Sequence, residues 1–204
     1  MSVAVLVQAR IKPERLAAVL AVVTQRVESA NQVSRGRLRE RIFQRLGAEG
    51  DLLSFSQWAS TEAFGVSSTT LNPTFLADVA LEPPQVHRLV RLLTFERPLQ
   101  RAAVTACALI GPTRGDSRAV RERVVHDRRE IRSARGLLSH EIYVTPGPPV
   151  VYLSIHSWRH LADLHQFREE GGRLNEQSLA EVGATLERFT GALVAEYPLL
   201  SGRG

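Results

Sequence analysis

The stretch RGRLRERIFQRLGAEGDLLSFSQW at residues 35–58 returns, one hundred residues later, as RGLLSHEIYVTPGPPVVYLSIHSW at 135–158. Arg35-Gly36 falls on Arg135-Gly136, Ile42-Phe43 on Ile142-Tyr143, and Trp58 on Trp158, so both tryptophans of the chain share one repeat position. Working outward, FERPL at 95–99 falls on AEYPL at 195–199, and AVLVQARIKP at 4–13 matches AVTACALIGP at 103–112. These anchors keep their order at nearly constant offset, and the period lies far above the ~20–50 residues of solenoid repeats. The reading is a duplicated domain, with one repeat over residues 1–100 and the other over 101–204.

Each half has the same grammar. VAVLVQARI is an apolar strand ended by Lys12-Pro13. Leu16, Val19, Leu20, Val23 and Val27 then recur at helical spacing behind Pro13. RLRERIFQRL and LLSFSQW alternate as half-buried strands around the turn AEGD, which reads as a hairpin. Helical sequence runs from Ser60 to about Ala80, broken at Asn72-Pro73, and HRLVRLLTFE is a closing strand. The second half repeats this as AVTACALI, a helix from Ser117 to Arg132, LLSHEIYV, VVYLSIHSW, helices from His160 to Arg168 and from Asn175 to about Leu186, and FTGALVAEY. The order β-α-β-β-α-β is ferredoxin-like. Its helices cover one sheet face and leave the other to be buried against a second sheet. The predicted fold is α+β: tandem ferredoxin-like repeats forming a pseudo-dimeric α+β barrel.

Composition sets the class. Of 204 residues, 44% are hydrophobic and 23% charged, an ordinary globular balance. No apolar run approaches the ~20 residues of a membrane span. The start of the sequence lacks the pattern of a secretory signal, so a cytoplasmic protein is expected. Cys107 is the one cysteine, which excludes an internal disulfide and a cysteine-based metal site. The net charge of +5 invites a nucleic-acid reading, and Arg35, Arg37, Arg39 and Arg41 alternate along one strand. Basic and acidic residues otherwise intermix, whereas nucleic-acid binding needs a clustered basic face. The expectation is no nucleic acid and no membrane partner.

The stretch RGLLSHEIYVTPGPPVVYLSIHSWRHLADLHQF, the closing RFTGALVAEYPLL, and LLSFSQWASTEAF in the first half resemble the antibiotic biosynthesis monooxygenase superfamily of dimeric α/β barrels. A strand-ending tryptophan followed by a helix is the local mark. The resemblance covers nearly the whole chain and implies a cofactor-independent oxygenase tailoring an aromatic polyketide. A phenolic or anthrone-type ring would be oxidised with O2 to a quinone or hydroxylated product, with no tightly bound metal or flavin. Alternatives left open are a ring-cleaving or rearranging oxygenase using reduced flavin from a partner reductase, and a cyclase, isomerase or non-catalytic binding module for a polyketide intermediate. No Gly-rich dinucleotide fingerprint is present. The chain is expected as a monomeric pseudo-dimer or a homodimer.

Strand parity selects candidate residues. By the resemblance, the tryptophan and the residue four before it face the barrel interior. That puts Tyr152, Ser154, His156 and Trp158 on one face, with His140, Ile142 and Val144 opposite on the neighbouring strand. His156 and His140 are the catalytic candidates, because an imidazole exchanges protons near neutrality. Trp158, Tyr152, Ser154, Trp58, Ser54 and His87 are the substrate-binding candidates. The matching face of the first half carries Leu52, Ser54, Ser56 and Trp58 with Glu40, Ile42 and Gln44, and no histidine. The second half is therefore expected to be active and the first mainly scaffold. Some family members carry a tyrosine six residues after the tryptophan; Phe64 and Leu164 stand there. Their asparagine four residues before it is Ser54 and Ser154 here, and Gln44 and Val144 replace the histidine of the preceding strand. His140 and His156 are then the available substitutes. His160 and His165, five apart, do not make a helical metal-binding face, and no metal is expected.

Overall fold

The computed structural model describes residues 2–29, 36–66, 71–97, 102–111, 117–126, 128–170 and 176–197. Arg35 lies outside them, and so does the side chain of His126. The chain divides into two compact units, residues 1–90 with 191–204, and residues 91–190. The division cuts across the sequence repeat, because the last strand of each repeat passes from one unit into the other.

In the first unit, strand β1 (Val3–Arg10) leads through a short 3-10 turn at Pro13–Arg15 into helix α1 (Leu16–Ser29). Strands β2 (Arg37–Arg45) and β3 (Asp51–Trp58) form the hairpin. Helices α2 (Thr61–Val66) and α3 (Pro73–Leu76) follow, then strand β4 (Gln85–Glu96). The antiparallel sheet runs β4-β1-β3-β2 and ends on the last residues of strand β8 (Leu186–Tyr197), with Glu40 opposite Tyr197. Asn72-Pro73 is a helix start: the Asn72 side chain accepts from Phe75 N–H at 2.8 Å, capping an otherwise orphaned donor.

The second unit repeats the plan. Strand β5 (Val104–Ile110) is followed by helices α4 (Ser117–His126) and α5 (Arg128–Ser133), where sequence periodicity predicts one helix. Strands β6 (Leu137–Val144) and β7 (Tyr152–Trp158) form the hairpin. Helices α6 (Leu161–Glu169) and α7 (Glu176–Ala180) come next, and β8 begins at Leu186. The predicted helix to Leu186 is cut short after Ala180, and Gly183, at φ +74°, supplies the left-handed turn that redirects the chain into β8. β5 and β6 pair antiparallel with β7 on either side.

The two hairpins share a detail that positions the site. A bulge falls between Arg37 and Arg39 in β2 and between Leu137 and Ser139 in β6. It shifts parity by one, so Arg37 and Glu40 lie on one face although an even-numbered and an odd-numbered residue would ordinarily point apart. One sheet face packs on the unit's own helices. In the first unit Val5, Val7, Ile42, Leu52 and Trp58 meet Val19, Val23 and Val27 of α1. In the second, Ile110, Ile142 and Tyr152 meet Val120 and Val124 of α4, and Val104, Leu137 and Trp158 meet Ile131 and Leu164.

Candidate active site

This packing corrects the predicted environment of the site. The face carrying Tyr152, Ser154, His156 and Trp158 is the helix-covered face of the second unit, and not the opposite face on which the barrel-interior reading placed it. The parity grouping itself is present: β6 sets His140 directly opposite His156 and Ile142 opposite Ser154. The face assignment failed because alternation says which residues share a side and nothing about what covers that side.

At the centre is one hydroxyl between two imidazoles. Ser154 Oγ lies 2.8 Å from His156 Nε2 and 3.1 Å from His140 Nε2. The rings stand edge to face, centroids 4.5 Å apart at 89°. His140 is buried and His156 half-buried. Burial, then the charge of His140, then that of Arg168, hold His156 well below the ordinary histidine value. His156 is therefore neutral at pH 7.

Trp158 ends the row. Its ring lies 6.5 Å from His156 and 5.1 Å from Phe167 of α6, and it is fully buried. Its indole N–H has no acceptor among the described residues. A buried donor in that state costs roughly 1–3 kcal/mol. Tyr152 shares the face but sits farther along, among Ile110, Val120, Val124 and Leu179. Burial raises its phenol above the ordinary value, partly opposed by Arg121.

The same positions of the first unit hold a different solution. Glu40 stands where the repeat has His140, Ser54 where it has Ser154, and Ser56 where it has His156. Arg37 donates to one Glu40 oxygen, and the Ser54 hydroxyl donates to the other at 3.3 Å. Trp58 Nε1 donates to Ser56 Oγ at 3.0 Å, and the Arg37 guanidinium lies 5.0 Å over the Trp58 ring. Here the tryptophan donor and the central carboxylate are engaged from within. His87 does not join this group. It pairs opposite Leu6 on β4, on the sheet face away from Ser54 and Trp58.

The arginine run does not form a charged face either. Arg37 is buried against Glu40, Arg39 pairs with Glu196 at 3.1 Å, and Arg41 is buried over Phe55 at 5.3 Å. Sequence reasoning missed Phe167 and Arg168. Both are on α6, and strand parity carries no information about a helix that folds over the site. Among the described residues, no group of three or more His, Cys, Asp or Glu could hold a metal ion.

The sequence model of the family described as antibiotic biosynthesis monooxygenase matches residues 2–70, within the first repeat. No curated protein matches the chain. Solved structures match over nearly its full length. An anthrone oxidase-like protein aligns at TM-score 0.74 and 13% identity, covering 96% of this chain and 92% of its own. A candidate monooxygenase from Fusobacterium nucleatum aligns at TM-score 0.75 and 8% identity, covering 96% and 93%. A regulator of staphylococcal pathogenesis aligns at TM-score 0.55 and 9% identity, covering 92% and 98%. At such identities the likeness is one of fold, and this fold also serves a protein that is not named as an enzyme.

Proposed function

We propose that the chain is a cofactor-independent oxygenase acting on a phenolic, anthrone-type ring of an aromatic polyketide, with its active site in the second repeat and its first repeat as scaffold. The observation that carries this reading is the buried indole N–H of Trp158, without an acceptor among the described residues, in line with the neutral imidazole of His156. A donor and a base side by side suit a substrate that loses a proton and keeps the electrons on an oxygen.

Such a substrate does the redox work itself. An anthrone methylene and O2 give a quinone carbonyl and one water. The ring supplies the electrons, and O2 is the oxidant. His156 takes the proton as the enolate forms. The anion beside it then raises the proton affinity that burial had lowered. The Trp158 N–H donates to the oxyanion and holds it next to the imidazolium. Tyr152, Ile142 and Phe167 supply apolar and aromatic surface for a flat ring. The engaged Arg37–Glu40–Ser54 network supports a structural role for Ser54 and Trp58.

Oxygen uptake by the purified protein with a hydroxyanthrone tests this. The expected result is one O2 consumed per quinone formed, without added flavin or metal. No turnover in air sinks the reading. Conversion under nitrogen would make the protein a cyclase or isomerase, and strict dependence on added reduced flavin would make it a flavin-assisted oxygenase.

A further inference from the structure

We infer that Ser154 joins His140 and His156 into one proton-carrying unit, so that a proton received at His156 is passed through the serine hydroxyl to His140. The inference deepens the reading above and rests on it for its catalytic meaning, while its first test uses no substrate.

Hydrogen-bond counting carries the argument. Ser154 Oγ lies within hydrogen-bond distance of the Nε2 atoms of both rings. A hydroxyl has one proton to donate and two lone pairs, so the two Nε2 atoms cannot both accept from it. In the relay arrangement one Nε2 accepts and the other donates, and the two neutral rings hold opposite tautomers. In one state His140 Nε2–H donates to Ser154 Oγ, and the Ser154 proton goes to His156 Nε2. In the other, His156 Nε2–H donates to Ser154 Oγ, the Ser154 proton goes to His140 Nε2, and His156 Nδ1 is bare.

The second state is the receptive one. A proton taken at Nδ1 makes His156 an imidazolium. The His156 Nε2–H bond then breaks as a Ser154 O–H bond forms, and the original Ser154 O–H bond breaks as a His140 Nε2–H bond forms. His156 ends neutral with a donor at Nδ1, and the charge rests on His140. Running backward, the same two transfers return the proton when the product oxygen needs it. Burial disfavours charge on His156 first; His140 on β6, whenever it holds the proton, and then Arg168 on α6 oppose it further. Arg168 opposes charge on His156, which favours passing the proton on. In the first unit the pattern cannot operate, because Ser56 occupies the position of His156 and the Ser54 hydroxyl is spent on Glu40.

Ring-nitrogen NMR of the intact protein, with no ligand, reads the tautomers directly. Opposite tautomers for His140 and His156, or two averaged rings, are expected; the same fixed tautomer in both overturns the proposal. Ser154→Ala should uncouple the two titrations, and Ser154→Thr, which keeps the hydroxyl, should restore the coupling. Unchanged ring shifts and titrations in Ser154→Ala would also overturn it. With a competent substrate, kcat should fall at least tenfold in Ser154→Ala and return in Ser154→Thr, and a curved proton inventory should become linear. Loss of oxygenase activity from the wild type would count against the function above and leave the NMR result standing.

Discussion

His140 and His156 face each other across the β6–β7 ladder, edge to face, with ring centroids 4.5 Å apart. A charge on His140 makes His156 harder to protonate, because a second positive charge at that distance is repelled. His156→Gln keeps a polar group but removes the base, and its kcat should fall about 10²–10⁴-fold, the range of general base catalysis. A variant with full activity in oxygen-uptake assays would remove His156 from the mechanism.

The depressed His156 pKa makes stability depend on pH. Its proton affinity is lower in the folded chain than in the unfolded one, so the unfolded state binds more protons between the folded value and ~6.5. The folded state is favoured above that window and loses stability as pH falls through it. Urea unfolding at pH 7.5 and pH 5.5 should show a loss on acidification that is smaller in His156→Gln. An equal loss in both proteins would show that His156 is not responsible.

The two tryptophans should respond unequally to loss of their indole N–H. Trp58→Phe breaks the bond to Ser56 and should cost about 1 kcal/mol beyond the lost ring volume, a further melting shift of roughly 2–4 °C in a chain of this size. Trp158→Phe removes a donor without an acceptor among the described residues. It should show the cost of the lost ring volume alone, or less, while raising KM. Equal destabilisation by both would mean that the Trp158 donor is already satisfied.

Glu40 and Arg37 are a buried ion pair. Glu40→Ala removes the buried carboxylate to which Arg37 donates and should cost about 3–5 kcal/mol. The double variant Arg37→Leu with Glu40→Leu should recover most of that, as the leucine at the equivalent position 137 suggests. Failure of the double variant to recover, by thermal melting, would show that the pair carries more than its own charge balance.

Gly136 turns into β6 at φ +74°, and a Cβ there would lie 2.6 Å from the Asp163 Cβ. Gly136→Ala should cost roughly 1–2 kcal/mol for the left-handed backbone alone. The clash with α6 adds to that and should displace Phe167 from Trp158, seen as a change in tryptophan fluorescence. An unchanged spectrum and melting point would mean that α6 tolerates the shift.

Much of the local plan was legible because it is periodic. The two-residue alternation of β6 and β7 grouped His140, Ser154, His156 and Trp158, and the hundred-residue repeat marked which half carries the histidines. Other features were illegible because they depend on groups distant in sequence or on irregular backbone. The bulge after Arg37 broke the apparent arginine stripe. Arg168 comes near His156 only through the packing of α6.

By itself the amino-acid order settled that the chain is two copies of one β-α-β-β-α-β unit, and that four polar and aromatic side chains of the second copy share a strand face. Those are consequences of covalent spacing along extended backbone. The tertiary structure alone decided that this face lies under helices, that a serine hydroxyl lies between two imidazoles, and that Trp158, unlike Trp58, has no acceptor among the described residues. Contacts of that kind depend on which elements cover a face and how closely they approach, and neither is written in the spacing of residues along one strand.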